Sequence, residues 1–356
     1  MSENALPARL EAQAHSLGFD LVGVAPAQTP TEALQAYLGW LARGDHGEMA
    51  YMARADRVAR RADPALILPG VRSLVCVAVH YDSGPPPPPD PLHGRVARYA
   101  WGQDYHDWML PRLEELAAWL RAEAGSVAHR AYVDTGPLLE RAFAARAGLG
   151  FIGKNTCLIH PRLGSWLLLG VLLVDVDLPA GEPLPARCGS CTRCLDACPT
   201  GALTAPYRLD ARRCIACLTI EHGGPIPPEL RPLLGDRVFG CDECQAVCPW
   251  QRFSPPTAVA AFRAADAGRA APSLLELLAM DEEAFRRRFA GTPLLRTGRE
   301  RLQRNAAVAL GNAGDPRAVP ALRRALDDPS PLVREHAAWA LERLGTAAAA
   351  PGLQEP

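Results

Sequence analysis

The first half of the chain alternates between two hydrophobic patterns. In four segments the apolar residues recur at the spacing of one helix face, and in four others they form short runs rich in valine, leucine and alanine. Segments of these two kinds predict a mixed α/β region. The predicted helices are Ala5–Leu17, Glu32–Arg43, Met109–Glu123 and Pro137–Ala147, and the predicted strands are Leu21–Ala25, Ser73–His80, Ala128–Val133 and Trp166–Val174.

The second half begins with little apolar sequence and then becomes helical. Residues 179–256 are rich in cysteine, so they predict a small module that bound metal holds together. Residues 257–356 carry helical patterns. We therefore expect an α+β protein of three consecutive domains, which are residues 1–178, 179–256 and 257–356.

The C-terminal segment contains an internal repeat. Leu302–Gly314 aligns with Val333–Gly345 at an offset of 31 residues, and alanine, leucine and glycine recur at matching positions. Between the two copies, Asp315 and Pro316 form a helix cap followed by a proline in the first helical position. This pattern indicates a short HEAT-type repeat, which must pack on the preceding domain to be stable.

The strongest chemical signal is a run of four cysteines. Cys188, Cys191, Cys194 and Cys198 are separated by two, two and three residues, and Pro199 follows. This is the ferredoxin spacing, in which three thiolates hold one [4Fe–4S] cluster and the fourth binds a second cluster. Two zinc sites are the alternative, but zinc-binding pairs are usually set farther apart.

A second cysteine run lacks its first member. Cys241, Cys244 and Cys248 precede Pro249, but Val238 stands where the remaining ligand is expected. Two clusters this close together predict electron relay. By the crossing rule, the ligands of cluster one are Cys188, Cys191, Cys194 and Cys248, and those of cluster two are Cys198, Cys241, Cys244 and either Cys214 or Cys217.

Composition indicates a reducing compartment. The formal net charge is −1, so any surface for nucleic acid must be local. The N-terminus lacks the basic start and apolar core of a signal peptide, and the apolar run 166–174 is too short to span a bilayer. We therefore expect a cytoplasmic protein with no membrane anchor and no disulfides, in which Cys76 and Cys157 are small buried residues.

The basic residues are uneven in kind and in position. Of the 38 lysine and arginine residues only Lys154 is a lysine, either by chance or because its site needs a compact ammonium group. The segment 285–304 carries seven arginines, opposed within it by Glu300 alone. Such a cluster is either a solvated helix face or a contact for nucleic-acid phosphates. The second interpretation assigns a contact with nucleic-acid phosphates to Arg296, Arg299, Arg301 and Arg304.

A candidate active centre follows one of the predicted strands. The letters AYVDTGP predict a strand that ends in a turn, with Pro137 opening the next helix. Asp134 then stands at the carboxyl end of a strand, where ligands collect in α/β folds. It can be a catalytic carboxyl or simply a turn residue. The glycine-rich loop GLGFIGKN returns Lys154 and Asn155 towards the same edge.

Two cofactor motifs are incomplete. Residues 148–153 match the letters of a dinucleotide fingerprint but follow a helix, whereas the fingerprint follows a strand. Asp104-x-His106 is similar to the start of the D-x-H-x-x-G element of histidine-ligated cobalamin, but Met109 replaces the glycine. His106 is therefore not expected to bind cobalt. The residues alone predict a two-cluster reductase with a pocket in its N-terminal domain.

Six motifs together resemble the epoxyqueuosine reductase family. They are YVDTGPLLER, GLGFIGKN, RCGSCTRCLDACPTGAL, LTIEH, FGCDECQAVCPW and RLQRNAAVALGN, in order between His46 and Gly314. The resemblance implies a nitroreductase-like cobalamin-binding α/β domain, a ferredoxin-like domain with two [4Fe–4S] clusters and a HEAT-like domain that binds tRNA. It also implies reduction of epoxyqueuosine to queuosine at the tRNA wobble position, with electrons from an external low-potential donor.

The resemblance also assigns roles to individual residues. Asp134 would donate a proton to the epoxide oxygen, which requires a carboxyl kept protonated by burial. Cobalamin would bind base-off, without a histidine ligand. Cys217 stands where the family has tyrosine, which favours Cys214 as the cluster ligand and leaves Cys217 as a competitor. The implied corrinoid contacts are Arg57, Asp134, Lys154, Asn155, Leu158, Leu169, Cys241 and Asp242.

Two other functions share part of this pattern. A corrinoid reductive dehalogenase has the same core but should carry a twin-arginine export signal, which the N-terminal sequence lacks. A ferredoxin-type electron carrier has no substrate of its own and needs no corrinoid. Bound cobalt, in addition to about eight irons from two cubanes, would separate the reductase from such a carrier.

Overall fold

The computed structural model describes residues 5–345. The chain forms two compact units: unit one is residues 1–84, 103–211 and 243–263, and unit two is residues 85–102, 212–242 and 264–356. This division follows contacts in space, and the limits of the three consecutive domains remain a prediction. Residues 346–356 of the predicted C-terminal domain lie outside the described residues. No helix among residues 5–345 is both long and apolar enough to cross a membrane.

The described residues contain helices along the whole chain and strands up to residue 239. The helices are α1 (Ala5–Ser16), α2 (Thr31–Ala42), α3 (Ala50–Ala53), α4 (Ala55–Ala62), α5 (Tyr105–Ala124), α6 (Glu140–Arg146), α7 (Arg193–Asp196), α8 (Ile215–Ile220), α9 (Glu243–Ala246), α10 (Ala267–Ala270), α11 (Leu274–Ala279), α12 (Glu282–Phe289), α13 (Arg299–Ala313), α14 (Val319–Ala325) and α15 (Pro331–Arg343). The strands are β1 (Leu21–Pro26), β2 (Ser73–His80), β3 (Arg95–Val96), β4 (His129–Tyr132), β5 (Phe151–Ile152), β6 (Leu158–Ile159), β7 (Leu167–Val174), β8 (Leu203–Ala205), β9 (Arg208–Leu209) and β10 (Arg237–Phe239).

Unit one is built on a four-stranded sheet in the order β1-β2-β7-β4. Each neighbouring pair is antiparallel, and the register places Cys76 between Gly23 and Val171. All eight residues of β2 are buried, because helices cover both faces of the sheet. The mixed helix and strand assignment is confirmed. The rule that ligands collect at the carboxyl ends of strands does not apply to this sheet, because that rule holds for parallel strands and these are antiparallel.

Two glycines let helices approach the two faces of this sheet. A Cβ on Gly170 of β7 would lie 2.9 Å from Leu113 of α5, so α5 packs directly on the strand there. A Cβ on Gly23 of β1 would lie 2.2 Å from the carbonyl oxygen of Ala147, which follows α6. Gly170 pairs with Val77 and Gly23 with Cys76, and successive strand residues face opposite sides. The helices α5 and α6 therefore lie on opposite faces.

All eight predicted segments are present and have the predicted type. The start of α6 differs from the prediction, and this difference bears on the position of Asp134. The helix expected from Pro137 begins at Glu140, because Leu139 has a ψ of 67° and is not helical. Residues 133–139 instead form a loop after β4. This longer loop carries Asp134, whose φ of 51° lies in the left-handed region.

Unit two is centred on α13. Residues Leu302 to Gly311 of this helix are all buried. A Cβ on Gly311 would lie 2.9 Å from the Cα of Ala340, so only glycine lets α15 cross so closely. Each of the two helices is followed by a glycine of positive φ, Gly314 and Gly345. The predicted repeat is therefore confirmed as a pair of equivalent helices.

Arg304 is a structural residue of unit two. Its side chain is fully buried, with a relative exposure of 0%. The guanidinium group donates to the carbonyl oxygens of Leu218, His222 and Gly224 at 2.6–2.8 Å, and to Asn305 Oδ1. The five N–H groups of arginine suit a ring of carbonyls that no other side chain could satisfy. Arg304 therefore fixes the segment that ends α8, and it is not available to a phosphate.

We predict that Arg304→Met destabilises the protein strongly. The substitution keeps most of the side-chain volume but leaves three buried carbonyl groups without their donor, which should lower the free energy of unfolding by about 3 kcal/mol or more. Urea denaturation of the holoprotein measures this. The control is Arg286→Met, because Arg286 is exposed and pairs only with Glu282 on the same helix; its effect should stay within about 0.5 kcal/mol. Equal stabilities for the two variants would contradict the structural role of Arg304.

Candidate functional site

Asp134 lies in a network of side chains from the start of α5. Tyr105 Oη donates to Asp134 Oδ2, and His106 Nε2 lies 2.7 Å from Asp134 Oδ1. On its other side, His106 Nδ1 lies 2.8 Å from Asp104 Oδ1. Asp104 also caps α5 by accepting from the backbone N–H of His106 at 3.0 Å. The order along the network is therefore Asp104, His106, Asp134, with Tyr105 on the same carboxylate.

The sequence indicated only part of this network. The D-x-H spacing of Asp104 and His106 was visible, but as an incomplete cobalamin motif. The structure uses the same spacing to cap a helix and to place the imidazole against Asp134. Both ring nitrogens of His106 are hydrogen-bonded to carboxylates, so neither is oriented towards a metal. Tyr105 was missed, because nothing in the sequence relates it to a loop 29 residues later.

The expected burial of Asp134 is wrong. Its side chain is 48% exposed. The buried carboxyl of this loop is Glu140, in the first turn of α6, whose Oε1 is buried without a hydrogen-bond partner. Burial, to which the charge of Asp134 adds, raises the pKa of Glu140 to about 8. A neutral acid therefore lies next to Asp134, in a position that the sequence analysis did not single out.

The first turn of α6 connects two functional loops. Glu140 lies close to Asp134, and the next residue, Arg141, donates from Nη1 to the carbonyl oxygen of Thr156 at 2.6 Å. In the described residues, the non-glycine positions with positive φ are Asp134, Thr156 and Tyr207. Tyr207 donates its backbone N–H to the carbonyl of Lys154 at 2.9 Å. Strained backbone of this kind is typical of functional loops.

Lys154 binds the loop that carries the first cysteines. Its ammonium group donates to the carbonyl oxygens of Gly189 at 2.7 Å and Cys191 at 3.0 Å. The neighbouring Asn155 donates from Nδ2 to the carbonyl of Cys244 at 3.2 Å. A compact ammonium with three donors can serve two convergent carbonyls, which supports the second explanation for the single lysine. The glycine-rich loop therefore holds both cysteine runs at their backbone.

Four thiols of unit one line a single cavity. Its volume is about 240 Å³, several times the share of about 30 Å³ that one water molecule occupies in the liquid. No three His, Cys, Asp or Glu side chains in residues 5–345 lie close enough together to hold a single metal ion. The size of the cavity suits a polynuclear cluster. Its thiols are the four predicted for cluster one, Cys188, Cys191, Cys194 and Cys248.

The chemistry of this cavity favours an anionic cluster. Burial raises the pKa of Cys194 and Cys248, and the nearby Cys188 adds to both shifts. Iron would reverse that effect, because a bound cation stabilises the thiolate form. The cavity is also lined by cationic side chains that can offset the charge of a thiolate-bound cluster: Lys154, Arg187, Arg193 and Arg252.

The remaining cysteines differ in their surroundings. Cys76 is fully buried on β2, and burial raises the pKa of its thiol, so its predicted role in the core is confirmed. Cys157 is only half-buried, so its assignment as a small buried residue is wrong. It lies just after Lys154 and Asn155 in the glycine-rich loop. In unit two, Cys214 precedes the first residue of α8 and Cys217 lies inside that helix. The choice between them remains a prediction.

The implied corrinoid contacts fall into different surroundings. Arg57 donates to the carbonyl of Thr135 at 3.3 Å, so it lies beside the Asp134 loop. Asn155 and Leu158 are each only 3% exposed, and their side chains are committed to packing and to the cysteine loops. Leu169 on β7 is partly exposed. In unit two, Asp242, next to Cys241, accepts from the backbone N–H of Arg98 at 2.9 Å. These contacts remain predictions.

The arginine cluster is more neutralised than the sequence indicated. Arg299 pairs with Asp328 at 2.9 Å, and Arg301 donates to the carbonyl oxygens of Thr297 and Ile220. Arg304 is buried, and of the four assigned arginines only Arg296 is fully exposed. Acidic residues outside the segment supply the missing partners, which a count within the segment could not show. The assignment of Arg304 to tRNA binding is therefore wrong.

A different basic cavity lies in unit two. Its volume is about 460 Å³, and it is lined by Arg269, Arg287 and Arg288 together with Asp266. Arg269 Nη1 is buried and has no hydrogen-bond partner. Arg287 pairs with Glu283 on the exposed side of α12. Three guanidinium groups around one cavity, one of them with an unused donor, fit an anion such as a phosphate.

Comparisons with known families match three segments of the chain. Residues 61–135 match the family model described as "Epoxyqueuosine reductase QueG, DUF1730". Residues 187–251 match a 4Fe-4S double cluster binding domain, and residues 292–355 match HEAT repeats. The double-cluster match includes both cysteine runs, and the HEAT match includes the α13–α15 pair.

Curated relatives and solved structures match nearly the whole chain. The epoxyqueuosine reductase of Xanthomonas campestris is 46% identical over 95% of this chain and 96% of its own length, and that of Escherichia coli K12 is 40% identical over 95% and 89%. A crystal structure of epoxyqueuosine reductase with an epoxyqueuosine-modified tRNA-Tyr stem loop has a TM-score of 0.90 at 34% identity and covers 97% of this chain and 91% of that one. A Bacillus subtilis structure, with its catalytic loop swung out of the active site, has a TM-score of 0.89 at 33% identity and covers 96% and 91%.

We predict that Cys214→Ala removes one cluster and that Cys217→Ala removes none. Cys214 lies outside α8, where its side chain can reach a cluster that also binds other segments, whereas Cys217 is fixed within the helix. The measurement is iron per chain after anaerobic reconstitution, where two cubanes give about eight irons and one gives about four. The two variants control for each other, because each removes one half-buried thiol and the two thiols are three residues apart in the sequence. Loss of half the iron in the Cys217 variant would reverse the assignment.

Proposed function

The chain belongs to the epoxyqueuosine reductase family, and from that premise we propose that Asp134 delivers the proton by which it reduces epoxyqueuosine in tRNA to queuosine. The observation that carries this proposal is the half-exposed carboxyl of Asp134, which hydrogen bonds to Tyr105 and His106 hold in place. The same chain matches a double-cluster domain, which would supply the electrons. Since tRNA is the substrate, we place the reaction in the cytoplasm.

The overall chemistry sets what the residues must supply. Removing an epoxide oxygen to leave a carbon–carbon double bond takes two electrons and two protons and releases water. Each [4Fe–4S] cluster passes one electron at a time, so an external donor must deliver two electrons in succession. The protein must also place a proton at the oxygen when its carbon–oxygen bond breaks, because an alkoxide is a poor leaving group in a site closed to water.

The network around Asp134 can hold that proton. His106 lies between two carboxylates, and its Nε2 is 2.7 Å from Asp134 Oδ1, close enough for a proton to pass between them. When the proton lies on Asp134, the neutral imidazole accepts from the carboxyl and donates its Nδ1–H to Asp104. This contact, and not burial, is the route by which we propose that Asp134 receives the proton that it delivers. The hydroxyl of Tyr105 fixes the orientation of the other carboxylate oxygen.

The residues present also fit a base-off cobalamin. When bound, cobalamin would supply a strongly reducing, nucleophilic cobalt centre. The occupied nitrogens of His106 agree with binding that uses no histidine ligand. Arg57, Asp134 and Leu169 would contact the ligand. Lys154 and Asn155 would act through the cysteine loops that they hold, and Cys241 and Asp242 remain predicted contacts.

Capture of tRNA is proposed for the basic cavity in unit two. Phosphates dominate the affinity of proteins for nucleic acids. Arg269, Arg287 and Arg288 line this cavity, and Arg269 has a buried donor without a partner. Arg287 and Arg288 pair with the exposed carboxylates of Glu283 and Glu276. Arg299, Arg301 and Arg304 donate to partners of which several are buried or part of the backbone. Arg296 is exposed in the segment before α13 and remains a further candidate.

We predict that Asp134→Asn folds, keeps both clusters and loses turnover. The amide keeps the size of the carboxyl but cannot give up a proton, so the rate should fall by about 10²–10⁴-fold. Conversion of epoxyqueuosine in tRNA under a chemical reductant measures the rate, and the visible spectrum reports the clusters. The control is Asp327→Asn, at an exposed position in unit two, which should turn over at the wild-type rate. A wild-type rate for Asp134→Asn would assign the proton to another group.

We predict that the triple change Arg269→Gln, Arg287→Gln and Arg288→Gln weakens tRNA binding and its salt dependence. The slope of log K against log salt should become shallower by about 0.7–0.9 for each phosphate that the variant no longer neutralises. The control is Arg286→Gln, since Arg286 neighbours Arg287 on α12 but does not line the cavity. Binding curves at four salt concentrations measure the slope. A triple variant that keeps the wild-type slope would show that this cavity holds no phosphate of tRNA.

A further inference from the structure

Cluster one lies beneath a surface groove. The groove has a volume of about 750 Å³, and it shares four residues with the cluster-one cavity: Arg193, Cys248, Pro249 and Arg252. A cluster ligand therefore forms part of a wall that faces solvent. Cysteine sulfur is the atom through which electrons reach a [4Fe–4S] cluster, so this wall is a direct entry point for electrons.

The rim of the groove carries arginines that form no ion pair within the described part of the chain. Arg193 and Arg252 line the groove and Arg187 lines the adjoining cavity; all three are exposed, and none of them forms an ion pair with another residue in the described part of the chain. Some exposed arginines elsewhere do form such pairs, as Arg72 does with Asp177 at 2.7 Å. The carboxylate on the rim, Asp196, accepts from Thr192 at 2.8 Å. The rim therefore presents unpaired guanidinium groups to whatever approaches it.

Two exposed aromatic rings flank the same site. Phe253 is 49% exposed, with the guanidinium group of Arg252 4.5 Å from its ring centre. Tyr207 is 48% exposed, and its backbone N–H donates at 2.9 Å to the carbonyl of Lys154, which lines the cluster-one cavity. Exposed aromatic residues beside arginine are the composition typical of the centre of a protein interface.

We propose that this face of unit one, formed by Arg187, Arg193, Arg252, Tyr207 and Phe253, is the docking surface for an acidic one-electron carrier protein. The inference rests on the proposed electron path and adds the class of donor and its place of entry. One electron passes from the reduced carrier to cluster one, so the carrier is oxidised and the cluster reduced by one electron. No bond forms, and two such transfers supply the two electrons that each epoxide needs.

Charge explains why the partner must be acidic. An oxidised cluster with four thiolates is an anion, and it would repel an acidic carrier if the cationic rim were not present. The unpaired arginines offset that repulsion and leave a positive rim, which steers an acidic protein to the cluster. A phosphate backbone is also anionic, but it has no need of a position next to a cluster ligand. We therefore favour a carrier protein over tRNA here.

The test uses the double variant Arg193→Glu/Arg252→Glu of the reconstituted protein, without tRNA or cobalamin. Reduced flavodoxin, an acidic one-electron flavoprotein, is mixed rapidly with the oxidised protein, and bleaching of the clusters is followed at several salt concentrations. The bimolecular rate should fall at least about tenfold at low salt, and its salt dependence should flatten. The control is Arg323→Glu/Arg324→Glu, two exposed arginines of α14 in unit two, which should reduce at the wild-type rate.

Two further measurements separate the possible outcomes. Reduction by dithionite, a small anion that needs no docking surface, reports whether the cluster itself has changed, and titration gives its midpoint potential. An unchanged flavodoxin rate, or a fall explained by a lower potential alone, would overturn the proposal. Weaker tRNA binding with an unchanged flavodoxin rate would assign the face to nucleic acid. Because the assay contains no epoxide, an unchanged flavodoxin rate would leave the proposed reaction standing, and turnover of Asp134→Asn under a chemical reductant tests that reaction separately.

Discussion

Burial of both faces of the central sheet is the constraint on which the candidate active site depends. Strand β2 has no exposed residue, so helices must cover it on both sides. The glycines at 23 and 170 set how closely α6 and α5 approach. The first turns of these two helices reach the loop after β4 from opposite faces. Asp134 can therefore be held by His106 on one side and can lie near Glu140 on the other.

The contact between Asp134 and His106 offers a way to supply a proton to a carboxyl that is not buried. Burial is the usual way to keep a carboxyl protonated, and here it acts on Glu140 and leaves Asp134 half exposed. Asp134 instead lies within hydrogen-bond distance of a histidine that a second carboxylate, Asp104, orients. A site that is open before substrate binds can admit a nucleotide as large as the wobble base. The left-handed backbone conformation of Asp134 turns the chain out of the strand direction. The residues after β4 therefore form a loop, and side chains contact this loop on both sides.

The cationic residues divide into structural and surface groups according to the geometry of their partners. Lys154 serves two convergent carbonyls in a cysteine loop, and Arg304 serves three carbonyls around the end of α8. Both hold the backbone of segments that carry cluster cysteines. Arg269 in unit two has a buried donor without a partner, and exposed arginines that form no ion pair in the described residues line the cavity predicted for cluster one. Charge counted along the sequence cannot separate these groups, because the partners come from distant segments.

The sequence by itself determined the elements, the cysteine chemistry and the helical repeat. Hydrophobic period, ligand spacing and glycine positions are local properties, so β2 and the α13–α15 pair followed from them directly. Only the tertiary structure decided that the sheet is antiparallel, that Arg304 is buried and that Tyr105 and His106 hold Asp134. Each of these depends on which distant segments meet. Glu140 and Asp134 are six residues apart, yet one is buried and the other open, because a loop turns between them and only the packing of α6 sets which carboxyl faces the core.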